Sequence, residues 1–493
     1  MTNEQAWWIL NSFNYAVLAY FFLLNTTYLA TSIFAFVGLR RYSRRLKALD
    51  IESLITSTGA PAITVIAPAF NEELTCVTTV KSLLELRYPD YEIMIVNDGS
   101  TDEMLPRLKA AFELVRVPRA DTANIPTMQI RGIYRSERYE NLWVVDKENG
   151  GKADSLNAGI NFCRTSLFCS MDADCLLERD ALTRIVRPFL ENSDTIAAGG
   201  LIRIANDSVI AGGRVAEVRF PRKWLVGFQV LEYLRAFFSG RMGWDVLGVT
   251  LVISGAFGLF KRSVVVDAGG YSTSTVGEDM ELVVRLHRHC RTNDIPYEIG
   301  FVADPIAWTQ APETIRGLAR QRDRWQRGLM ESLSNHRGIL FNPKFGKIGF
   351  LGFPYFYFLE MMGPVIEFGG YITFLAVVFL ATPPVIYVLA FLAVSIVYGI
   401  VLSVSSVALE ELSYRRYPKS GDLVRLLLFS IFENFGYRQM ITVFRFKGVI
   451  SSLFRVTEWG KADRTGFDGV CQRENDRKRV ARSMKMKISE AAR

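Results

Sequence analysis

Ser170-Met171-Asp172-Ala173-Asp174-Cys175 ends a short apolar segment with two carboxylates that are separated by one residue. The preceding Leu167 and Phe168 favour a buried β-strand. Because residues i and i+2 of an extended chain point to the same side, Asp172 and Asp174 are expected to converge just beyond the carboxyl end of that strand. Open α/β sheets place their ligands at this edge.

Two carboxylates at one place repel each other unless a cation lies between them. Their hard oxygen atoms favour Mg²⁺ or Mn²⁺, ions whose coordination is usually completed by substrate phosphates. A D-x-D pair is equally typical of a solvated turn. The metal hypothesis for Asp172 and Asp174 therefore depends on what the rest of the chain places beside them.

From about residue 60 the sequence alternates between strand patterns and helix patterns. This rhythm predicts an α/β domain with a mostly parallel, nucleotide-binding sheet. The segment 118–139 has no clear pattern and is predicted to be a long loop. The predicted strands are 63–67, 91–96, 142–145, 249–253 and the one that runs from Leu167 into the two carboxylates. The predicted helices are 75–86, 153–163, 224–238 and 280–289.

Apolar residues make up 49% of the 493 residues, and the excess lies at the two ends of the chain. The run 13–39 is long enough to span a bilayer, and the basic flank that follows it predicts a cytosolic middle domain. Two more spans are predicted at 361–381 and 384–409, after an interfacial helix at 345–358. Segment 423–446 either spans the membrane or lies on it, and the basic flank from Lys447 onward favours the second arrangement.

These patterns predict a multi-pass protein of the cell membrane. Its parts are an anchor with a basic flank at 1–45, a cytosolic α/β domain at 46–341, membrane and interfacial helices at 342–460, and a charged, disordered tail at 461–493. The net charge of +8 comes without a nucleic-acid-binding motif, so we expect a bilayer and no nucleic acid as partner. The six cysteines form no C-x-x-C pair and there are three histidines, so we expect neither a disulfide framework nor a zinc site.

Two polar motifs follow the first two predicted strands. Pro68-Ala69-Phe70-Asn71-Glu72-Glu73 offers the ring of Phe70 as a stacking face, and Asn97-Asp98-Gly99-Ser100 offers Asp98 as an acceptor for a uracil N–H. Both motifs lie where a base and a ribose would bind. The alternative for the second motif is an ordinary turn with a helix cap.

The third motif, Lys147-Glu148-Asn149-Gly150-Gly151-Lys152, closes a strand and opens a helix. Glycines allow close backbone approach, and a lysine at a helix N-terminus suits a diphosphate, although a plain Gly-Gly loop is the alternative. The fourth motif, Gly277-Glu278-Asp279-Met280-Glu281, places Asp279 as a candidate general base. Its alternative is the common preference of acidic residues for a helix N-terminus.

The fifth motif is Gln321-Arg322-Asp323-Arg324-Trp325, just before the apolar C-terminal region. Arginine pairs bidentately with a leaving diphosphate, and tryptophan offers a flat surface to a sugar ring. An amphipathic basic helix lying on lipid is the alternative.

Taken in this order, D-G-S, G-G-K, D-x-D, E-D and Q-x-x-R-W resemble the membrane-embedded family 2 glycosyltransferases. These are the processive synthases of cellulose, chitin, hyaluronan and poly-β-1,6-N-acetylglucosamine. The resemblance runs from about Pro61 into the apolar C-terminal region. It is closest to the bacterial poly-N-acetylglucosamine synthase type, through Ser254-Gly255-Ala256-Phe257, the Glu278-Asp279 helix and Tyr437-Arg438-Gln439.

The resemblance implies a GT-A domain that binds a UDP-sugar and Mg²⁺ or Mn²⁺, and an inverting transfer that extends an exported, biofilm-type β-linked polysaccharide. N-acetylglucosamine is the expected sugar, and a small accessory membrane subunit is a further expected partner. The implied catalytic residues are Asp279, Glu278, Gln321, Arg324 and Trp325. Those for the nucleotide-sugar are Phe70, Asn71, Glu72, Asp98, Lys152 and Asp172, with Asp174 for the metal. Those for the acceptor are Ser254, Gly255, Ala256, Phe257 and Trp325.

Some positions depart from the family pattern. Asn97 stands where the family often has a first aspartate, Phe70 where tyrosine is frequent, and Glu281 where E-D-x-D is common. The alternatives to polymer synthesis are transfer of one sugar to a lipid, a transporter or channel whose soluble domain only binds nucleotide, and a catalytically dead scaffold. Q-x-x-R-W argues against the first, since that platform suits a retained polymer end, and the complete set of motifs argues against the last.

Overall fold

The computed structural model describes residues 3–48, 59–380, 385–414 and 420–454. Its main sheet has ten strands in the order β3-β4-β5-β2-β1-β6-β11-β8-β12-β7, and β9 and β10 form a separate hairpin. The strands are β1 Ile63–Ala69, β2 Tyr91–Asp98, β3 Leu114–Arg116, β4 Ile130–Ser136, β5 Leu142–Lys147, β6 Leu167–Met171, β7 Leu176–Leu177, β8 Thr195–Ile204, β9 Val209–Ala211, β10 Arg214–Glu217, β11 Phe257–Lys261 and β12 Glu298–Thr309.

Sixteen α-helices are described. They are α1 Asn3–Ala48, α2 Cys76–Leu84, α3 Met104–Phe112, α4 Lys152–Phe162, α5 Ala181–Ile185, α6 Arg187–Glu191, α7 Trp224–Glu232, α8 Arg241–Leu247, α9 Arg262–Asp267, α10 Glu278–Thr292, α11 Ile315–Asn335, α12 Gly363–Leu380, α13 Val385–Leu392, α14 Tyr398–Ser413, α15 Ser420–Phe432 and α16 Tyr437–Leu453. A π-helix, Tyr233–Gly240, joins α7 to α8.

The centre of the sheet is parallel. Strands β5, β2, β1 and β6 pair in parallel, and so do β8 and β12, whereas the outer strands and β11 run antiparallel. Alternate residues of β1 face opposite sides: Val65 packs with α2 and α3 in one core, and Ile66 packs with α4 and α10 in another. Because both faces are covered by helices, β1 is apolar along its length. The predicted α/β class with a mostly parallel sheet is confirmed.

Two predictions about strands are wrong. The segment 118–139 contains β4, which pairs with β3 and β5; its pattern is masked because Arg131 and Arg135 interrupt the apolar residues. The predicted strand 249–253 is an extended loop without a sheet partner. Its apolar residues are buried all the same, since Val249 and Leu251 pack on α10 and Ile253 packs in the core beside β1.

Three helices are long and apolar enough to cross a membrane: Leu10–Leu46, Ile348–Phe379 and Val385–Ser413. They contain the predicted spans at 13–39, 361–381 and 384–409, except for position 380, just beyond the second helix, and positions 381 and 384, which lie outside the described residues. The doubtful segment 423–446 is two helices, α15 and α16, divided at Gly436 with φ 101°. The predicted disordered tail at 461–493 also lies outside the described residues.

Polar contacts join the apolar helices to α16, and Arg445 of α16 in turn donates to Gln326 of α11 at 3.0 Å. Tyr28 donates a hydrogen bond of 2.8 Å to Glu360, which also pairs with Arg445 of α16 at 3.2 Å. Helix α16 lies so close to α11 that a Cβ at Gly448 would come within 2.8 Å of the Gln326 side chain. Helix α11 carries the fifth sequence motif, so this packing fixes the motif against the membrane helices.

Candidate active site

The first two motif loops follow β1 and β2 and are tied to each other. The backbone N–H of Asn71 donates to Ser100 Oγ at 3.0 Å, and the N–H of Thr101 donates to Asn71 Oδ1 at 2.8 Å. Phe70 at the end of β1 keeps 45% of its surface exposed, so its ring is free to stack. The Glu72 carboxylate accepts from Thr75 Oγ1 at 2.9 Å beside the start of α2. Its expected contact with a nucleotide-sugar stays a prediction.

Asp98 organises the Gly-Gly loop. It is buried, and its oxygens accept from Lys147 Nζ at 2.7 Å and from the N–H groups of Gly150 and Gly151 at 2.9 and 2.8 Å. Lys147 also pairs with Asp154 at 2.6 Å. Both Asp98 oxygens are thus engaged within the protein, and a direct contact with uracil stays a prediction.

Lys147 and Asp154 are buried charged residues that the sequence analysis did not single out. The pairing of Lys147 with Asp98 could have been inferred from the strand ends. Lys147 ends β5 directly opposite Asp98 in the parallel register of β2 and β5.

Lys152 is the cation at the centre of the site. Its Nζ lies 2.6 Å from Asp172 Oδ1 and 3.2 Å from Glu278 Oε1. Burial, which lowers the pKa of Lys152, is outweighed by Asp172, Glu278 and Asp279, so the pKa lies well above its usual value. The Lys152 ammonium group of the third motif therefore contacts both the D-x-D pair and the Glu278-Asp279 motif.

Asp172 and Asp174 converge as predicted, and Cys175 joins them with all three ligand atoms within 4.8 Å of one another. Burial and the neighbouring Asp172 raise the pKa of Asp174 to about 6, partly opposed by Lys152 and Arg324. Burial and the same carboxylates raise the pKa of the Cys175 thiol well above its usual value, so it stays protonated. The two carboxylates thus fit Mg²⁺ or Mn²⁺, which prefer oxygen ligands to sulfur.

Asp279 is held in place by backbone donors. Its Oδ2 accepts from the N–H of Gly255 and its Oδ1 from the N–H of Met280, both at 2.8 Å. A Cβ at Gly255 would come within 2.7 Å of Lys152 Nζ and 3.2 Å of Asp279 Oδ2, so a larger residue here would displace the Lys152 ammonium group. Burial raises the pKa of the neighbouring Glu278, and the Lys152 charge opposes that rise.

The loop 254–256 reaches the site, but the next residue does not. Ala256 accepts a hydrogen bond of 3.4 Å from the N–H of Asp172, and Ser254 Oγ accepts from the N–H of Ala256 at 3.4 Å. The Phe257 side chain is fully buried in the core of the domain. That corrects the expectation that Phe257 contacts the acceptor, because Phe257 is the first residue of β11 and its ring packs in the core.

The fifth motif lies on α11. Trp325 packs between the guanidinium of Arg322, 4.2 Å from its ring centroid, and the ring of Phe237 at 5.7 Å. Arg322 is buried, pairs with Glu232 at 2.7 Å and donates to Gln321 Oε1 at 2.8 Å. The positive charge of Arg324 lowers the pKa of Asp174.

The sequence analysis did not connect the residues that support the fifth motif to it, although Tyr437 lies in the quoted Tyr437-Arg438-Gln439 stretch. Tyr437 OH donates to Glu232 at 2.8 Å, which links α16 to the Trp325 platform. The Arg241 guanidinium lies 4.3 Å from the Phe237 ring centroid. The Asp279 charge partly opposes the lowering of the Arg241 pKa by burial. No short motif contains these pairs, because the partners lie far apart in the sequence.

A profile of the family described as Glycosyltransferase like family 2 matches residues 61–328. That is more than half of the chain, and the chain therefore belongs to this family and is a glycosyltransferase.

Over 272 residues the chain is 31% identical to the poly-beta-1,6-N-acetyl-D-glucosamine synthase of Staphylococcus epidermidis and 30% identical to that of Staphylococcus aureus strain COL. The match covers 55% of this chain and 55% of each relative, so the chain spans about half the length of the curated relatives it matches. Among solved structures, a mannosyltransferase from Pyrobaculum calidifontis in complex with GDP-Man and Mn²⁺ is similar at 16% identity and a TM-score of 0.48. That similarity covers 88% of this chain and 99% of the mannosyltransferase.

Proposed function

We propose that this protein transfers N-acetylglucosamine from UDP-N-acetylglucosamine to the end of a growing β-linked polysaccharide. The observation that carries the proposal is the ammonium group of Lys152, which ties Asp172 to Glu278 and so brings the D-x-D pair beside Asp279. A nucleotide-sugar with a divalent ion complements this acidic edge of the sheet. The similarity to poly-N-acetylglucosamine synthases supports the choice of sugar.

The donor side consists of Lys152, Asp172, Asp174, Glu278 and Asp279. Asp172 and Asp174 would hold Mg²⁺ or Mn²⁺, which supplies charge stabilisation for the diphosphate when bound. Phe70 stacks on the base. Lys152 holds Asp172 and Glu278 at fixed positions and places positive charge where the diphosphate lies.

Asp279 acts as the general base. Its two oxygens each accept one backbone N–H, which aims the carboxylate without neutralising it. It removes the proton from the acceptor hydroxyl, and the hydroxyl oxygen attacks the anomeric carbon opposite the departing UDP. Direct displacement inverts that carbon, so an α-linked donor gives a β-linked product. Arg324, near Asp174, complements the charge that develops on the leaving diphosphate.

The acceptor side consists of Glu232, Phe237, Arg322, Trp325 and Tyr437. Trp325, fixed between Phe237 and Arg322, supplies the flat surface on which the terminal sugar rests. Gln321 and the loop 254–256 complete this side. We propose that the catalytic domain faces the cytosol of a multi-pass membrane protein, and that the product leaves through the adjoining helices, with an accessory membrane subunit as a further partner.

Purified full-length protein offered a panel of UDP-sugars with Mg²⁺ or Mn²⁺ tests the proposal. UDP release with UDP-N-acetylglucosamine, together with a radiolabelled product that grows in size, is the expected result. A product of one sugar on a lipid would instead show non-processive transfer. UDP binding without any release would support a nucleotide-binding transporter or channel and contradict the proposal.

A further inference from the structure

A second cavity lies away from the D-x-D site, between the last turns of α10, the end of α11 and the segment that leads into the membrane helices. Its volume is about 420 Å³. It is lined by Arg288, Thr292, Asn335, His336, Arg337, Gly338, Ile339, Asn342, Lys344 and Phe345. None of these residues belongs to the donor side or the acceptor side.

The charges around this cavity have one sign. Its titratable lining residues are Arg288, His336, Arg337 and Lys344, and no acidic residue lines it. Arg288 and Arg337 are exposed, and within the described part of the chain neither forms an ion pair. Lys344 donates to the carbonyl of Thr292 at 3.2 Å, which holds its ammonium group at the cavity. Such a cluster attracts an anion that accepts several hydrogen bonds.

His336 supplies an unused polar atom among these charges. Its side chain is 5% exposed, and its Nε2 lies 3.0 Å from Glu281 Oε1. The other ring nitrogen, Nδ1, is buried and has no hydrogen-bond partner among the described residues. A buried nitrogen without a partner is uncommon and is consistent with a ligand atom completing the site.

The cavity adjoins the edge of the membrane-spanning region. Phe341, Phe350 and Phe358 are each about half exposed, and Phe341 packs against Phe350 at 6.3 Å and against Phe358 at 6.1 Å. The candidate span Ile348–Phe379 begins within this aromatic cluster. Exposed phenyl rings beside the end of a span offer an apolar surface to lipid acyl chains.

We propose that the cavity binds the phosphate headgroup of an anionic phospholipid, with Arg288 and Arg337 as its main phosphate ligands. The acyl chains would lie along the cluster of Phe341, Phe350 and Phe358. A soluble phosphate compound shares the charge chemistry but makes no use of the adjoining apolar cluster. The combination of a basic cavity and exposed aromatic rings favours the lipid.

The site has a short structural connection to the catalytic base. Arg288 lies on α10, whose first residues are Glu278 and Asp279. The hydrogen bond between His336 and Glu281 connects that helix to the end of α11. A bound headgroup would therefore stabilise the position of α10. We expect anionic lipid to raise the rate of sugar transfer. This activity effect rests on the proposed function, whereas lipid binding does not.

Native mass spectrometry of the full-length protein, titrated with phosphatidylglycerol or phosphatidylcholine, measures binding directly. The wild type is expected to bind phosphatidylglycerol in preference, and R288Q/R337Q to bind it about tenfold more weakly. The matched control R87Q/R131Q removes two exposed arginines of the same domain that have no ion pair in the described residues. It should bind like the wild type.

The outcomes separate the lipid from other ligands. Equal binding of the two lipids, or an unchanged affinity in R288Q/R337Q, would overturn the proposal. Displacement of phosphatidylglycerol by millimolar inorganic phosphate would show a site for a soluble anion and would also overturn it. In nanodiscs, transfer by the wild type should rise with phosphatidylglycerol, whereas R288Q/R337Q should stay at its basal rate. Lipid binding without any sugar transfer would contradict the proposed function and leave the lipid site standing.

Discussion

The donor side and the acceptor side of the site differ in their balance of buried charge. Carboxylates outnumber cations on the donor side, whereas the charges on the acceptor side are paired. On the donor side four carboxylates, Asp172, Asp174, Glu278 and Asp279, surround the single ammonium group of Lys152. On the acceptor side Arg322 pairs one to one with Glu232, and Tyr437 donates to the same carboxylate.

This difference assigns the two sides different tasks. A surplus of carboxylates is stable only when a cation joins it, so the donor side is built to receive a divalent ion with the nucleotide. A balanced and hydrogen-bonded pair needs no further ligand, so the acceptor side is a fixed support for Trp325. The predictions below test this contrast, beginning with the largest effect.

Removing the base should have the largest effect. Asp279→Asn keeps the size of the side chain but cannot accept the hydroxyl proton, so kcat should fall about a thousandfold. Binding of UDP should be unchanged, as measured by calorimetry. Asp267→Asn, an exposed carboxylate elsewhere in the domain, is the control. Turnover close to that of the wild type in Asp279→Asn would exclude Asp279 as the base.

Asp174→Asn should lower turnover about a hundredfold, because one carboxylate ligand of the metal is lost. The dependence of the remaining activity on Mn²⁺ should move to higher concentrations. The measurement is a titration of UDP release against Mn²⁺. An unchanged Mn²⁺ profile would place the metal elsewhere.

On the acceptor side, replacing one member of the Glu232–Arg322 ion pair should lower the Tm more than replacing both members. Glu232→Gln leaves Arg322 buried without its counterion, which should cost about 3 kcal/mol of stability and lower the Tm. The double variant E232M/R322M should recover part of the Tm, since it leaves no unpaired guanidinium, although the buried Tyr437 hydroxyl still loses its acceptor. Both should make shorter products, because Trp325 loses its support. A Glu232→Gln protein with wild-type Tm and product length would refute the role of the pair.

The metal affinity of the donor side should depend on pH. The pKa of Asp174 is raised to about 6, so this carboxyl is ionised at pH 7 and largely protonated at pH 5. Protons compete with the metal, and the affinity for Mn²⁺ should therefore fall about tenfold between pH 7 and pH 5. Calorimetric titration of Mn²⁺ in the presence of UDP at both pH values checks this. An affinity that does not change with pH would show that Asp174 is not a ligand.

The smallest effect is expected at the base-stacking face. Phe70→Ala should raise the KM for the donor about fivefold, which corresponds to about 1 kcal/mol of stacking. The kcat should not change, since Phe70 lies away from the reacting atoms. Phe70→Tyr, which keeps the ring, should behave like the wild type. Equal KM values for all three proteins would remove Phe70 from the binding site.

The sequence predicts the donor side better than the acceptor side, for a physical reason. The apolar strand pattern predicts that Asp172 and Asp174 lie at the edge of the sheet, although a turn after β6 brings them together and not the two-residue period of a strand. The position of Asp279 follows from the start of a helix. Glu232 and Arg322 meet only through tertiary packing, and although Arg322 lies in the fifth motif, no local pattern pairs it with Glu232. The loop 249–253 shows the same limit, because its β-branched residues are buried by α10 and not by strand pairing.

Binding of UDP in the presence of Mn²⁺, measured by calorimetry for the wild type, Asp174→Asn and Asp279→Asn, tests the central claim most directly. We expect Asp174→Asn to lose the metal-dependent part of UDP binding, and Asp279→Asn to bind UDP as the wild type does while releasing none from the donor. Metal-dependent binding that is intact in Asp174→Asn, or lost in Asp279→Asn, would contradict the account.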